Sequence, residues 1–590
     1  VSRRRLLAIA AAFMLVIAAF GHRLYDLQLS PDPALAEGLG QRFRHDEVMA
    51  MRGSILDRRG RPLAVSLPVP TIIANPSRVA SHEIGAVVDQ LAPLVSTSPA
   101  LLASRLDSDK QFAFVDRQVD IEVGDAVEEL GIPGIRIDSE LRRENSAGDC
   151  SGLAVIGRVD IDHQGISGIE EAYDDLLTGV NGKIVREASS DGSITIPEGH
   201  EVFQPAVPGS DLQLTLDGNV QYRAERILTD AVSGSRADSG IILASVPATG
   251  EVIAAANVTR DTVSGAVACS TTNLAMISTF EPGSVMKPIT VASVLDAGLA
   301  EPQELLDLPD RLSYAIENNQ TKVYADWFTH TQTFYTPTEI VVQSSNIGAI
   351  TLAGRLGPQR FYDRLLSFGF GSKTALDFKG ESRGILRPLD NNVLELPAVA
   401  IGQSIAVTPI QMLQAYNVIA NGGVKVDPVL VVDDIGSGTS QRVVSETAAG
   451  QVLEMMRGVV AEGTGTQAAV PGYDVAGKTG TAWQPCGDRG GYDCDGSGAR
   501  HYTAAFAGIV SNDAGPALSI LVIIDNPRGD RVGGGSVAAP VFAEIAQYAV
   551  RQLEVPPQGS SASAQQRVRA EPAVRLALAD AAAAQQADTQ

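Results

Sequence analysis

An unbroken apolar run, Leu6 to Phe20, follows three arginines in VSRRRLLAIAAAFMLVIAAFGHRLY. It is shorter than the ~20 residues of a typical membrane-spanning helix and overlaps the range of a cleaved signal peptide. Arg5 and Arg23 can snorkel to the two interfaces, and no convincing small-residue cleavage site follows. The pattern therefore predicts an uncleaved anchor. An excess of cationic residues stays cytoplasmic, so Arg3, Arg4 and Arg5 send everything beyond about Gly21 to the outside. Further on, turn residues cluster in EGHEVFQPAVPGSD, Glu198 to Asp211, and mark a domain boundary. Past it, DLQLTLD and GIILASV alternate as strands do, and they enclose VQYRAERILTDAV, whose apolar residues recur at helical spacing. SGIILASVPATGEVIAAANV reads as a hairpin around Pro247 and Gly250. Strands, a helix, a hairpin and then helix-rich sequence predict an α+β domain over about 210–553. The segment Pro556 to Gln590 is rich in Ala, Gln and Ser, and is expected to be disordered.

Composition narrows the functional classes. The 590 residues are too many for one compact core, so at least two domains are expected. With 69 acidic against 46 basic residues the net charge is -23, and no basic stretch offsets it, which argues against nucleic acid as a partner. The four cysteines are too few for a disulfide scaffold. Cys486 and Cys494 flank CGDRGGYDC and either close a short loop or remain thiols. There is no C-x-x-C pair and no H-E-x-x-H, so neither a metal site nor a cofactor is expected.

GYDVAGKTGTA, Gly472 to Ala482, satisfies two unrelated catalytic patterns. As G-x-x-x-x-G-K-T it is a phosphate-cradling P-loop, which requires a buried strand before the glycines and a long helix after Lys-Thr. Upstream EGTGTQAAVPG is turn-like, and Pro485 with its following glycines forbids the helix. LVIID, Leu521 to Asp525, imitates the strand and Asp of a nucleotide site, but a buried sheet strand accounts for it as well. As K-T-G, Lys478 to Gly480 is one element of a serine acyl-transferase site. That chemistry needs a serine with a base one helical turn away, and EPGSVMK supplies Ser284 and Lys287. Of all the lysines, Lys287 alone has a serine three residues earlier. It also needs a second hydroxyl and an amide; QSSNIG supplies Ser344 and Asn346, and no other asparagine has a serine two positions before it. Singly, Lys478 reads as a solvated loop lysine, Ser344 as a helix cap and Glu170 as a surface ion-pair member. Three elements in order, S-x-x-K, S-x-N and K-T-G, outweigh those readings for the first two. His330 and His501 lack the G-x-S-x-G elbow that a Ser-His-Asp site would bring.

These motifs resemble those of the penicillin-binding proteins, and most closely the class B, division-type transpeptidases. RGSILDRRGRPLA resembles the start of their non-catalytic pedestal, and Glu170 in GISGIEEAY matches its G-x-x-G-x-E element. GQSIAVTPIQMLQAYNVIANGG resembles the helix after the family's G-x-G turn, although Ser404 stands at the second glycine. The resemblance implies an antiparallel sheet flanked by helices, of serine β-lactamase/transpeptidase type, preceded by an anchor (1–24) and a mixed α/β pedestal (25–205). The transpeptidase domain would span 206–555 and the tail 556–590. It implies cross-linking of peptidoglycan stem peptides in septal wall synthesis, acylation by β-lactams, and an inner-membrane location with the catalytic domain outside. It further implies division proteins as partners, among them a SEDS-family glycosyltransferase, because no glycan-polymerising region is present. Ser284 would be the nucleophile, Lys287 its base with a pKa depressed by burial and by Lys478, Ser344 a proton relay, and Asn346 a group positioning Lys287 and substrate. Lys478 and Thr479 would hold the terminal carboxylate with Thr481 assisting, while the backbone N–H groups of Ser284 and Thr481 form the oxyanion hole. A side chain at Gly480 would block the pocket. A D,D-carboxypeptidase, a β-lactam sensor or a non-catalytic division scaffold are the alternatives; a β-lactamase lacks support because there is no E-x-x-L-N.

Overall fold

The computed structural model describes residues 3–29, 43–145, 150–187, 201–316, 320–330, 333–376, 378–389, 394–486, 491–493 and 500–560. The chain divides into two compact units. One comprises 1–53, 68–142 and 178–210; the other comprises 54–67, 143–177 and 211–590. RGSILDRRGRPLA and Glu170 thus lie almost wholly in the second unit. The tail from 561 and Cys494 fall outside the described residues.

In the first unit the N-terminal run forms a helix, Arg3–Leu29. Its Arg3–Tyr25 portion has a mean hydropathy of 1.9 and is long and apolar enough to cross a membrane. It therefore extends beyond the uncharged stretch at both ends, taking in the flanking arginines. The rest of this unit contains an antiparallel sheet of Phe43–Val48, Gly182–Glu187 and Glu201–Gln204. It also has a separate core in which Ile72, Val88, Leu91, Leu102, Leu106, Val115 and Val127 are buried together.

The second unit is built on six antiparallel strands: β1 (Ser239–Ser245), β2 (Val252–Arg260), β3 (Val267–Cys269), β4 (Asp474–Trp483), β5 (Tyr502–Asn512) and β6 (Gly515–Asp525). Their order is β3-β2-β1-β6-β5-β4, which leaves β4 at an edge. Both faces are covered, so the central strands read as continuous apolar runs and period two only sorts them between two cores. Ile242, Ala254, Phe506, Val522 and Ile524 pack with Val220 and Leu228 of α1 (Gly218–Gly234) and with Phe542 and Ile545 of α4 (Gly534–Gln552). Ile241, Leu243, Ala255, Ala507, Leu521 and Ile523 join the other core, which holds Ile289 and Val291 of α2 (Lys287–Asp296), Ile347 and Ile350 of α3 (Asn346–Leu356), and Tyr416.

The expected hairpin forms, with Ser239 opposite Thr259 and Ser245 opposite Val252. The expected helix forms as α1, capped by Asp217, whose carboxylate accepts from the N–H groups of Asn219 and Val220. DLQLTLD differs: only Leu212–Gln213 is a strand, and it pairs in parallel with Ile55–Leu56 instead of joining the six-stranded sheet. The Thr215 N–H is taken by the Leu430 carbonyl, which ends the ladder.

The structure pairs two cysteines that the sequence reading left unassigned. Cys150 and Cys269 form a disulfide across 119 residues. Cys486 is disulfide-bonded too, which favours the closed loop over two thiols, while Cys494 lies outside the described residues. The first bridge fixes the segment entering Ser151 and Gly152, whose N–H groups both donate 2.7 Å bonds to the buried carboxylate of Glu225. A cross-link restricts the unfolded chain, a stabilisation that is typically about 2–4 kcal/mol. Replacing both cysteines by alanine is expected to lower the denaturation midpoint by that free energy, and an unchanged midpoint in chemical unfolding would contradict it.

Candidate active site

The residues around Ser284 form a single 3-10 turn, Gly283–Met286, that runs directly into α2 at Lys287. In a 3-10 turn, residues three apart eclipse one another, so Ser284 and Lys287 lie on one side. Several contacts fix this turn. Gly283 has φ +56°, its N–H donates to the Gly402 carbonyl at 2.9 Å, and the buried Tyr416 hydroxyl donates to the Val285 carbonyl at 3.0 Å.

Lys287 is fully buried, and its ammonium donates to the Ser344 carbonyl (2.6 Å) and hydroxyl (3.2 Å). Ser344 holds φ +61°, a region costly for a residue with a Cβ, so the turn before α3 is held in a strained conformation that presents its oxygens to Lys287. The cap of α3 is the next residue, Ser345, whose hydroxyl accepts from the Gly348 N–H at 2.9 Å. Ser344 is thus released from the capping role that its sequence position suggests. The Asn346 side chain donates to the Ala325 carbonyl at 2.8 Å, so the bond seen for it runs to the strand Gln320–Ala325 and not to Lys287.

GKTG lies on β4, a strand, with Gly472 in the turn before it; no helix follows Lys-Thr, and the P-loop geometry is absent from this segment. Lys478 is fully buried beside the cleft. The Thr479 hydroxyl bonds that of Thr464 at 2.6 Å, and the Thr481 hydroxyl accepts from the Gly534 N–H at 3.1 Å. At Gly480, a Cβ would approach the Pro282 carbonyl oxygen and Val285 Cγ1, each at 3.1 Å. The glycine therefore lets β4 approach the Ser284 turn, a packing constraint against the nucleophile's support and not an obstruction of the pocket. Ser404 occupies its left-handed turn position at φ +59° and donates its N–H to Glu281 at 2.9 Å, so the turn forms without the second glycine.

Ser284, Ser344, Asn346, Thr479 and Thr481 line one cleft of about 840 Å³. Its electrostatics are set by burial. Desolvation lowers the Lys287 pKa to about 7, against the pull of the Asp326 carboxylate, which favours the charged form. Lys478 is also pushed well below the usual lysine range, first by burial and then by the charge of Lys287. Burial is the first cause of both shifts, and the repulsion between the two ammonium groups adds to it.

Asp326 is a site residue that the motifs do not mark. Its buried carboxylate accepts from the Asn346 N–H (2.5 Å), the Ile347 N–H (3.1 Å) and the Ser345 hydroxyl (2.8 Å), and it pairs with His330 at 3.1 Å. His330 therefore serves the support of the S-x-N turn. Its only sequence signal is a four-residue spacing from Asp326, which is too common to single out. Glu170 is likewise buried, in a 2.7 Å ion pair with Arg143.

Residues 240–547 match the family model of the penicillin binding protein transpeptidase domain, and residues 47–214 match that of the penicillin-binding protein dimerisation domain. The chain is 32% identical to penicillin-binding protein PbpB of Mycobacterium tuberculosis, over 93% of this chain and 84% of that one. It is 30% identical to the peptidoglycan D,D-transpeptidase FtsI of Escherichia coli K12, over 94% and 92%. A crystal structure of penicillin binding protein 3 from M. tuberculosis complexed with aztreonam aligns with a TM-score of 0.62 at 29% identity, covering 87% of this chain and 98% of that one. The chain belongs to the class B penicillin-binding proteins of the division type.

Proposed function

We propose that this protein is a serine D,D-transpeptidase that cross-links peptidoglycan stem peptides during septal wall synthesis, with Ser284 as nucleophile. The observation that carries the reading is the buried Lys287, held on Ser344 with its pKa lowered to about 7, one turn from Ser284. A lysine with that pKa is half neutral near neutrality and can take a proton, as a general base must. Ser284 Oγ attacks the carbonyl carbon of the penultimate D-Ala while Lys287 accepts its proton. The C–N bond to the terminal D-Ala breaks, and Ser344 passes the proton to the departing amine. An amine of a second stem then displaces Ser284 from the acyl-enzyme. The substrate's terminal carboxylate favours the charged form of Lys478, since an anion in a buried site opposes the cost of burying the ammonium. Thr479 and Thr481 complete that end, Asn346 orients the substrate amide, and the N–H groups of Ser284 and Thr481 stabilise the oxyanion, a term worth ~3 kcal/mol per donor.

The domain division 1–24, 25–205 and 206–555 completes this reading, with the catalytic part outside the inner membrane and a SEDS-family glycosyltransferase supplying the glycan strands. The N-terminal helix carries Arg3, Arg4 and Arg5 at its start, which supports that orientation. Protease added to intact spheroplasts is expected to digest the large domain; its protection would refute the topology. The chemistry is tested by labelling the purified protein with fluorescent penicillin in the absence of nucleotide and metal. Mass spectrometry is expected to place the adduct on Ser284, and an adduct elsewhere would refute the assignment.

A further inference from the structure

The segment 325–330 grips the turn that carries Ser344 on both sides of that residue. Ahead of it, the Trp327 indole N–H donates to the Gln343 carbonyl at 3.2 Å. Behind it, the Asn346 side chain donates to the Ala325 carbonyl, and the Asp326 carboxylate accepts from the Ser345 hydroxyl and from the N–H groups of Asn346 and Ile347. A serine at φ +61° persists only where its surroundings over-determine it, and bonds on either side do so here. Lys287 holds residue 344 of this turn while Asp326 holds residues 345–347, so the base and the carboxylate are fixed to the same short piece of backbone. The Asp326 side chain is wholly buried, which leaves its charge little screened by water, and it pulls Lys287 toward the ammonium form.

We infer that Asp326 is a positioning residue for the acylation step: it locks the S-x-N turn against Lys287, and its negative charge steadies the ammonium that Lys287 becomes on taking the Ser284 proton. The inference rests on the transpeptidase reading and adds to it a residue outside the three motifs. In that step the Ser284 O–H bond breaks as Oγ bonds the carbonyl carbon, and the proton passes to Nζ, so a positive charge appears where burial opposes it. An anion already oriented by three donors of the turn meets that charge without reorganising. An aspartate behind a histidine does equivalent work in a Ser-His-Asp site, where it holds the base and stabilises its charged form. Other charged or titratable groups meet this pair from several elements. Lys478 faces Lys287, His330 and Tyr335 face Asp326, Asp310 accepts from the His330 backbone N–H, and Lys322 and Arg500 stand on the shared cleft wall. All of them are retained in Asp326→Asn, so its pH dependence reports the carboxylate.

The test follows the rate of Ser284 acylation by fluorescent penicillin against pH, with the full chain in detergent; the rate falls on the acidic side as Lys287 takes up a proton. Asp326→Asn keeps an oxygen for the two backbone N–H groups and sets a neutral amide where the Ser345 hydroxyl and His330 can accept. Without the anion Lys287 gives up its proton at lower pH. The acidic limb is therefore expected about one unit below the parent's, the smaller end of what a nearby opposite charge contributes, with a plateau about tenfold lower. Trp327→Phe loosens the same turn without touching a charge, and is expected to lower the plateau and leave the limb in place. Should Asp326→Asn fail to fold, His330→Lys sets a permanent cation against the retained carboxylate and is expected to move the limb the same way. A limb that stays in place when the charge is removed or neutralised would overturn the inference and leave Asp326 a structural anchor. A limb that moves equally in Trp327→Phe would overturn it as well, because the shift would then follow from loosening alone. A parent that takes no label at Ser284 would instead remove the transpeptidase reading itself, and the role of Asp326 with it.

Discussion

Ser284→Ala is expected to abolish labelling by fluorescent penicillin, with no residual slow phase. A β-lactam presents a strained amide in place of acyl-D-Ala-D-Ala, and the proposed nucleophile that opens it is the hydroxyl at the start of the Gly283–Met286 turn. The substitution removes one hydroxyl from a partly exposed position and leaves the supports of the turn intact: the Gly402 carbonyl, the Tyr416 hydroxyl and the Gly480 approach. Its thermal midpoint should therefore match the parent's, which separates loss of the nucleophile from loss of the fold. Lys478→Ala is expected to slow labelling severely and not to abolish it, because it removes the carboxylate anchor and keeps the nucleophile. The competing P-loop reading predicts ATP binding that depends on Lys478 and labelling indifferent to Ser284.

The choice between those readings was accessible from sequence because each pattern makes a demand on its neighbours. Pro485 and the glycines after GKTGTA exclude a helix, and the segment is indeed the edge strand β4. Order of motifs was equally informative: Ser284, Ser344 and Lys478 are separated by long stretches of chain yet line or border one cleft. What sequence could not supply was the nature of each support. Period two marks DLQLTLD as a strand but does not name its neighbour, and the neighbour is Ile55–Leu56, over 150 residues earlier. The proximity of Cys486 and Cys494 drew attention from Cys150 and Cys269, whose pairing depends on chain paths that no local pattern encodes. Asp326 belongs to no motif, since its role is defined by three donors that arrive from the turn at 345–347.

Lys287→Met is expected to trade activity for stability in a way that depends on pH. In the folded protein burial holds the Lys287 pKa at about 7, against 10.5 when solvated. Between those values the unfolded chain binds a proton that the folded one does not, so this lysine makes stability rise with pH across the window. Below pH 7 both states carry the proton and the full cost is felt, about 5 kcal/mol from the size of the shift. Methionine fills similar space without the charge. The bonds that Nζ donates to Ser344 are lost in the variant at every pH, so they cancel when two pH values are compared. Relief of the repulsion on Lys478 acts in the same direction as relief of burial. The stability gained by Lys287→Met should therefore be larger at pH 6 than at pH 9 by roughly 3 kcal/mol, read from denaturant midpoints. A gain equal at both pH values would mean that Lys287 is not held neutral by burial. In the same samples the parent's acylation rate should fall through an acidic limb centred near pH 7, and the variant's should be lower by about 10²–10⁴ with that limb gone, since a group that cannot accept a proton has no titration to report.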